Sequence, residues 1–301
     1  MLSICIPIYN FDVCSLVADL LSQGNKLTVP FELILIDDCS EKSFKNINKP
    51  SCEKARYIEL EENIGRSKIR NLFLAYAQFE NLLFLDCDAK LVSETYLENY
   101  ISLLMNENPQ VIFGGSIYEN ELKDKNCLLN WKYGLKRQQQ SAENRKLNPY
   151  QSFMTNNFII KKSLFEKEKF NEKIANYGHE DTLFGLELKK KNISIFHSNN
   201  SVYHIGLDSN KKFIEKTETA IKSLLFIQHE IDHSQEFRES IKLIQIYEKL
   251  QRLNLIFIPL ILFKLFGKAL KNHFLNGKAN LFFFDFYKLG FYIQERRNYS
   301  K

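Results

Sequence analysis

The chain has 301 residues, of which 45% are hydrophobic and 26% are charged, and its formal net charge is +5. This length accommodates one large domain or two small ones, with a full hydrophobic core. The composition disfavours a disordered chain, and the low content of Gly and Pro disfavours a fibrous one. Six cysteines without C-x-x-C or Cys/His spacing disfavour a zinc site, and we interpret them as reduced thiols of a cytoplasmic protein.

The first 118 residues alternate between strand and helix patterns. The short apolar runs LSICIPI, FELILID, ARYIEL, NLLFLD and VIFGGSIY are typical of strands, and helical patterns begin near Val13 and Gly65. This alternation predicts an α/β fold with a mostly parallel sheet. The N-terminal MLSICIPIYN has neither a basic start nor a long apolar run, so we expect a first strand and not a secretion signal.

The middle of the chain starts with a polar segment, residues 119–150, which holds the only Trp, Trp131. We expect this segment to be a mobile loop or a small insertion. SFMTNNFIIKKSLF then predicts a strand and a short helix, and NYGHEDTLFGLELKKKN a turn that opens into a helix. ISIFHSNNSVYHIG predicts one or two strands that end at His204, and a long helical pattern covers about 211–250.

The C-terminal tail combines apolar runs with positive charge. Only Asp285 and Glu295 oppose its nine basic residues, so its charge is +7 and the rest of the chain carries −2. The nine are Arg252, Lys264, Lys268, Lys271, Lys278, Lys288, Arg296, Arg297 and Lys301. Such asymmetry predicts an anionic partner, either lipid headgroups or nucleic acid.

The apolar run LNLIFIPLILFKLFG in this tail is shorter than the roughly 20 residues that span a bilayer, and Pro259 interrupts it. A membrane span is therefore not expected. Two alternatives stay open: an interfacial helix that directs Lys264, Lys268 and Lys271 towards headgroups, and a C-terminal helix packed on the domain with a basic solvated face.

Polar and aromatic side chains follow three of the predicted strands. ICIPIYN ends in Pro7 and Tyr9, LILIDDCS ends in two acids that include Asp38, and LLFLDCD ends in Asp86 and Asp88. Ligands of parallel α/β sheets bind beyond the carboxyl ends of the strands, so these groups form a candidate site. No G-x-G-x-x-G follows the first strand, which disfavours a dehydrogenase.

Four segments in this order, SICIPIYN, LILIDDCS, LFLDCDAK and YGHEDTLFG, resemble glycosyltransferase family 2, the inverting nucleotide-sugar transferases of the GT-A fold. The resemblance covers roughly residues 1–206. It implies a GT-A nucleotide-sugar-binding and catalytic domain over 1–206, with a mostly parallel central sheet flanked by helices. Residues 207–301 carry no motif of the family, and we expect a helical C-terminal region there that associates with a membrane or packs on the domain.

The resemblance implies a divalent cation, Mn²⁺ or Mg²⁺, on the diphosphate of the donor. Asp88 is the expected direct ligand, and Asp86 would hold the ribose or the metal through water. Alternatively, the two are solvated turn acids. His204 is a further candidate ligand, although a His packed in the core fits its position as well.

The resemblance also implies contacts to the nucleotide. Pro7 and Tyr9 would lie along the base, with Tyr9 stacking on the ring, and Asp38 would accept a hydrogen bond from it. Plain packing of Tyr9 and a turn-forming role of Asp38 are the alternatives. Gly65 begins a helix that places Arg66 and Arg70 on one face, against the nucleotide or its phosphates.

An ion pair between Arg70 and a carboxylate at the edge of the core is the alternative for that residue. For the acceptor, Asp181 matches the catalytic base of the family and Glu180 would position the acceptor. Two acids at a helix N-terminus also favour the helix dipole, which is the alternative explanation for HED. Trp131 and Asn157 are weaker candidates for contacts to the acceptor or the sugar.

The resemblance implies a metal-dependent inverting glycosyltransferase that moves a hexosyl or N-acetylhexosaminyl group from a nucleotide sugar, most simply a UDP-sugar. The acceptor would be a hydroxyl of a glycan or of a lipid-linked molecule in surface polysaccharide biosynthesis, at the cytoplasmic face of the cell membrane, with no nucleic-acid partner. One alternative is a catalytically inactive GT-A scaffold in a membrane-associated assembly. Nucleotidyl transfer is disfavoured because PIYNFD is neither Gly-rich nor basic.

Overall fold

A computed structural model describes residues 1–299. Ser300 and Lys301 lie outside the described residues. One of the nine basic residues of the predicted tail, Lys301, is therefore among the residues that are not described. The chain divides into two units. Unit 1 consists of Met1–Glu119, Gln138–Ala175 and Glu180–Gly206. Unit 2 consists of Asn120–Arg137, Asn176–His179 and the chain from Leu207 onward.

Unit 1 contains all of the described strands, in one large and one small sheet. The strands are β1 (Leu2–Ile8), β2 (Phe31–Asp37), β3 (Arg56–Glu59), β4 (Asn81–Leu85), β5 (Ala89–Leu91), β6 (Val111–Phe113), β7 (Ser116–Ile117), β8 (Asn157–Lys161), β9 (Ile195–His197) and β10 (Val202–His204). The large sheet has the order β3-β2-β1-β4-β8-β6-β9, and the small one has the order β5-β10-β7. Only β8 runs antiparallel to its neighbours in the large sheet, so the predicted mostly parallel α/β sheet is confirmed.

The described residues also form thirteen α-helices. They are α1 (Cys14–Gly24), α2 (Lys42–Ser51), α3 (Arg66–Leu72), α4 (Tyr96–Asn106), α5 (Leu128–Tyr133), α6 (Ala142–Leu147), α7 (Lys162–Phe165), α8 (Glu180–Lys190), α9 (Asn210–Phe226), α10 (Gln235–Ser240), α11 (Lys242–Arg252), α12 (Phe257–Leu275) and α13 (Leu281–Tyr299). Of the two alternatives for the segment 119–150, a mobile loop and a small insertion, the structure does not contain the mobile loop, because α5 and α6 form within the segment.

The large sheet is buried on both faces. Along β1, Ile4 and Ile6 pack on one side with α1 and α4, whereas Cys5 packs on the other side with α3 and α8. Side chains of a strand alternate between faces, so an almost uninterrupted apolar strand requires helices on both sides. This explains why β1, β2 and β4 are recognisable as continuous apolar runs in the sequence.

The core of unit 2 is formed by α5, α9, α12 and α13, with Leu129, Ile214, Phe263, Phe274 and Phe284 at its centre. Aromatic rings dominate it: Phe213 stacks on Phe284 at a centroid distance of 5.6 Å. Among the helices of residues 1–299, none combines the length and the apolar character that crossing a membrane requires.

Candidate active site

The carboxyl ends of β2, β1 and β4 lie side by side at one edge of the large sheet, because these strands are parallel neighbours. Pro7 lies within β1 opposite Ile36, and Tyr9 follows the strand with 54% of its surface exposed. Asn10 holds the next turn: its backbone φ is 50°, and its backbone N–H donates to the Ser40 hydroxyl at 2.9 Å. Tyr9 is therefore accessible at the edge where a ligand of this fold binds.

Asp38 follows β2 and anchors the loop before α3. Its carboxylate accepts hydrogen bonds from the backbone N–H groups of Ile64, at 2.7 Å, and of Gly65, at 3.1 Å. Gly65 has a φ of 82°, a conformation that residues with a side chain rarely adopt. Burial raises the pKa of Asp38, and the two N–H groups oppose that effect. In this structure Asp38 thus shapes the start of α3, and its contact to a nucleotide base stays a prediction.

Asp86, at the end of β4, is neutralised by arginine. Arg70 is 1% exposed, and its guanidinium donates to the Asp86 carboxylate at 2.7 Å. Arg66 lies 3.6 Å from the second carboxylate oxygen of Asp86 and also donates to Glu180. The ion-pair alternative for Arg70 is therefore what the structure contains. Because two guanidiniums surround Asp86, this geometry does not favour it as a metal ligand, and that role stays a prediction.

Asp88 has a different neighbour. Its carboxylate lies 3.3 Å from Nδ1 of His204, because Ala89 of β5 and His204 of β10 face each other across the small sheet. The side chains of both residues are about one-fifth exposed. A side chain at Gly206 would collide with the Asp88 carboxylate, so the glycine is needed for this arrangement. The Tyr118 ring lies against the His204 ring, with a centroid distance of 5.4 Å.

An oxygen and an imidazole nitrogen that converge in this way fit Mn²⁺ or Mg²⁺ as part of a ligand set. Within residues 1–299, no group of three or more His, Cys, Asp or Glu side chains could hold a metal ion.

Glu180 and Asp181 form the first turn of α8, after a turn in which Gly178 and His179 both have positive φ. Glu180 is buried and binds Arg66. Burial acts to raise the pKa of Glu180, but the charges of Arg66 and Arg70 outweigh it and lower this pKa below its ordinary value. Glu180 therefore remains a carboxylate.

The pKa of Asp181 is shifted in the opposite direction from that of Glu180. Burial, followed by the negative charge of Glu180, raises its pKa to about 6, although the Thr182 backbone N–H donates to its carboxylate at 2.7 Å. Two neighbouring acids whose environments separate their pKa values are typical of acid–base sites. Arg66 connects Glu180 to Asp86 at the end of β4, so the edge of the sheet and the start of α8 belong to one cluster.

Asn157 makes its side-chain hydrogen bonds outside this cluster. Asn157 is fully buried, and its amide oxygen accepts from the hydroxyls of Tyr96, at 2.6 Å, and Tyr100, at 2.8 Å. Its amide nitrogen donates to the carbonyls of Gly115 and Asn200. All of these partners lie inside the protein, so the geometry does not favour a substrate contact. Trp131 lies in α5 of unit 2 and is half-buried.

Two residues of the site were not predicted from the sequence. Gly206 makes room for the Asp88 carboxylate, and Tyr118 flanks the His204 ring. The signal for Gly206 was its place in HIG directly after the predicted final strand, where a close backbone approach is a common reason for glycine. Tyr118 had no such signal, because its partner follows 86 positions later in the chain.

Several solved structures have a fold similar to that of this chain. The mannosyltransferase PcManGT from Pyrobaculum calidifontis, solved with GDP-Man and Mn²⁺, is 11% identical and has a TM-score of 0.59, covering 99% of this chain and 86% of its own. TarS from S. aureus is 19% identical, with a TM-score of 0.51 over 79% of this chain. This chain spans only 42% of that TarS chain.

Glucosyl-3-phosphoglycerate synthase from Mycobacterium tuberculosis, solved with Mn²⁺, UDP and phosphoglyceric acid, is 14% identical, with a TM-score of 0.51 over 77% of this chain and 80% of its own. At these identities the three structures establish the GT-A fold alone. No curated protein matches the sequence significantly. The sequence model described as glycosyl transferase family 2 matches residues 3–168, which is more than half of the chain. The chain therefore belongs to glycosyl transferase family 2.

Proposed function

We propose that the protein is a metal-dependent, inverting glycosyltransferase that transfers a sugar from a UDP-sugar to a hydroxyl group of a glycan or a lipid-linked acceptor. Residues 1–206 would form the catalytic domain. The observation that carries this proposal is the cluster in which Arg66 connects Asp86 at a strand end to Glu180, next to an Asp181 with a raised pKa. UDP as the donor nucleotide is supported by the fold shared with two UDP complexes, those of TarS 1–349 and of the mycobacterial synthase.

Asp181 is the proposed general base. In an inverting reaction one carboxylate removes the proton of the acceptor hydroxyl as its oxygen attacks the anomeric carbon from the side opposite the leaving diphosphate. A base positioned in this way contributes typically 10²- to 10⁴-fold to the rate. A pKa of about 6 suits this role, because the carboxylate is ionised at neutral pH and is a stronger proton acceptor than an ordinary aspartate.

Glu180 and Arg66 position this base and the donor. Arg66 is 40% exposed at its side chain, whereas Arg70 is almost fully buried, so Arg66 is the proposed contact to the donor diphosphate. Arg70 then has a positioning role, because it fixes the Asp86 carboxylate from the protein side. Asp86 directs its remaining surface to the ribose of the donor.

Asp88 and His204 are the residues that would hold Mn²⁺ or Mg²⁺. The cation would act as a Lewis acid that stabilises the charge of the leaving diphosphate. Gly206 and the pairing of β5 with β10 keep the Asp88 carboxylate and the imidazole together. In the nucleotide part of the site, Tyr9 and Pro7 would contact the base, with Asp38 and Gly65 shaping the loop beside them.

The proposed location is the cytoplasm, with the acceptor at the inner face of the cell membrane, in the synthesis of a surface polysaccharide. All six cysteines are free thiols, in agreement with a reducing compartment. None of these thiols is assigned a catalytic role.

A donor screen tests the proposal. UDP release is measured from a panel of UDP-sugars with Mn²⁺, for the wild type and for Asp181→Asn and Asp88→Ala. Both substitutions are expected to abolish most of the turnover, whereas Asp19→Asn, a matched change on the exposed side of α1, is expected to leave it unchanged. Turnover at the wild-type level in either site variant would refute the site assignment. Absence of any UDP binding in calorimetry would instead favour the inactive scaffold.

A further inference from the structure

A stripe of exposed apolar side chains runs along α12, which belongs to unit 2. We call it the α12 stripe, and its members are Phe257, Ile258, Ile261, Leu262, Leu265 and Phe266. Leu265 is 67% exposed and Phe257 is 56% exposed. The spacing of one, four, five, eight and nine positions from Phe257 places all six side chains on one face of the helix. Contiguous exposed apolar surface of this kind is typical of an interaction site.

The opposite face of α12 already supplies the core of its own unit. Leu260, Phe263 and Phe274 are buried, and a side chain at Gly290 of α13 would collide with the Phe263 ring. The helix is therefore apolar on two faces, of which the fold of unit 2 uses one. Packing within this unit does not account for the α12 stripe.

The charges around the stripe identify what it would contact. Lys264 and Lys268 are exposed, and on a helical projection they border one side of the stripe. The sequence of α12 contains no Asp or Glu. Lys278 is also exposed and precedes α13, where Phe282 is 75% exposed. A second copy of this chain would bring like charges together at this face, whereas an anionic lipid surface complements them.

The stripe suits the surface of a bilayer and not its interior. No helix of residues 1–299 is suited to cross a membrane, and the two lysines lie in the middle of α12. A helix with a broad apolar face and lysines at its border lies in the plane of the interface, with the apolar side chains among the headgroups and acyl chains. We propose that α12 and the exposed start of α13 dock the protein on an anionic phospholipid surface through the α12 stripe, Lys264 and Lys268.

Docking of this kind is independent of the transfer reaction, although it agrees with a lipid-linked acceptor. Vesicle co-sedimentation of the full chain tests it, with phosphatidylcholine alone and with phosphatidylcholine mixed with phosphatidylglycerol. The expected result is binding to the anionic vesicles that weakens with added salt. The double variant Ile261→Glu and Leu265→Glu is expected to reduce binding at least about tenfold, because two apolar anchors are lost and two negative charges are gained.

Leu147→Glu is the control, because Leu147 is 76% exposed on α6 of unit 1 and the change adds one of the two negative charges of the double variant. It is expected to reduce binding by less than about twofold. Lys264→Gln and Lys268→Gln are each expected to reduce binding about fivefold, without an effect on neutral vesicles. Circular dichroism and thermal melting should coincide for all variants, since each substituted side chain is exposed.

Equal binding by the double variant and by wild type would overturn the proposal, and so would absence of binding to anionic vesicles. A concentration-dependent dimer in analytical ultracentrifugation that the double variant abolishes would assign the stripe to self-association instead. UDP release without vesicles distinguishes the two proposals: if it persists in the double variant while vesicle binding fails in the wild type, only the docking inference is lost.

Discussion

The cluster at the strand ends of unit 1, formed by Asp86, Arg66, Arg70, Glu180 and Asp181, and the α12 stripe of unit 2 differ in how their side chains are partnered. In the cluster, the arginines are paired with carboxylates: Arg70 and Arg66 bind Asp86, and Arg66 also binds Glu180. In the stripe, apolar side chains are exposed without a partner in their own unit. The comparison teaches that the ion pairs fix a small group of polar side chains within their own unit, whereas exposed apolar surface is typical of an interaction site.

The largest expected effect is on the rate, from Asp181→Asn in unit 1. Loss of the proposed base should reduce kcat about 10²- to 10⁴-fold. At pH values above 7, the same variant should also have a higher Tm than the wild type. Because the folded-state pKa of Asp181 is raised, its stabilising contribution is present below its ordinary pKa near 4 and is lost as pH rises through about 6, and a neutral Asn avoids that loss.

Steady-state kinetics, UDP calorimetry and thermal melting check this prediction together. UDP affinity should stay within about twofold of wild type, because Asp181 is assigned to the acceptor side. A variant that is both inactive and less stable would mean that Asp181 is structural, and that the resemblance of HED to a catalytic motif has misled the assignment.

The second effect is on the free energy of unfolding, which should depend on the buried ion pairs of the cluster and not on the exposed α12 stripe. Arg70→Met leaves Asp86 with only the more distant Arg66, and breaking such a buried pair should cost about 3 kcal/mol in the free energy of unfolding. Leu265→Ser in the α12 stripe should change it by less than about 0.5 kcal/mol, since that side chain is already exposed. Urea unfolding of both variants provides the measurement. Similar losses in both would mean that the stripe is covered within the folded chain.

The third effect is on metal affinity. His204→Ala removes the imidazole beside Asp88, and the Mn²⁺ concentration for half-maximal binding in the presence of UDP should rise about tenfold or more. Calorimetric titration of Mn²⁺ measures this directly, without turnover. His273→Ala on α12 is the control, because His273 belongs to unit 2. Unchanged Mn²⁺ binding in His204→Ala would leave His204 as a side chain packed against Tyr118.

Several parts of the fold were predictable from the sequence because their signal is local. The strands β1, β2 and β4 are continuous apolar runs, and the family motifs lie at their ends. In contrast, α2 was not predicted, because its sequence KSFKNINKPS is polar and rich in lysine and asparagine. For the segment 119–150, only the mobile-loop alternative was wrong, because polar residues also suit short helices whose few apolar side chains, such as Leu129, reach a core.

The partners within the site could not be predicted, because they are far apart in the chain. Arg66 and Glu180 are separated by 114 positions, and no periodic pattern links them. The sequence also leaves open what a carboxylate faces. For example, Asp38 binds the backbone N–H groups of Ile64 and Gly65 in the structure, and its place in LILIDDCS did not indicate these partners. The exposure of the α12 stripe could not be predicted either, since an apolar run has the same pattern in a core and at an interface.

The smallest predicted effect is a shift in pH dependence, and it tests whether the acids of unit 1 act as a pair. Below pH 6, kcat/KM should fall as Asp181 becomes protonated, since a protonated carboxyl cannot accept the proton of the acceptor. Glu180→Gln removes a negative charge that raises the pKa of Asp181, so the acidic limb should move to lower pH by up to about one unit. Glu98→Gln on the exposed side of α4 is the control and should leave the limb in place.

A limb that stays fixed in Glu180→Gln, or that moves to higher pH, would show that another group controls the acidic limb. The charges of the cluster would then stabilise the fold and bind the donor without setting the pKa of the base. The comparison with the α12 stripe would in that case concern structure and binding but not catalysis.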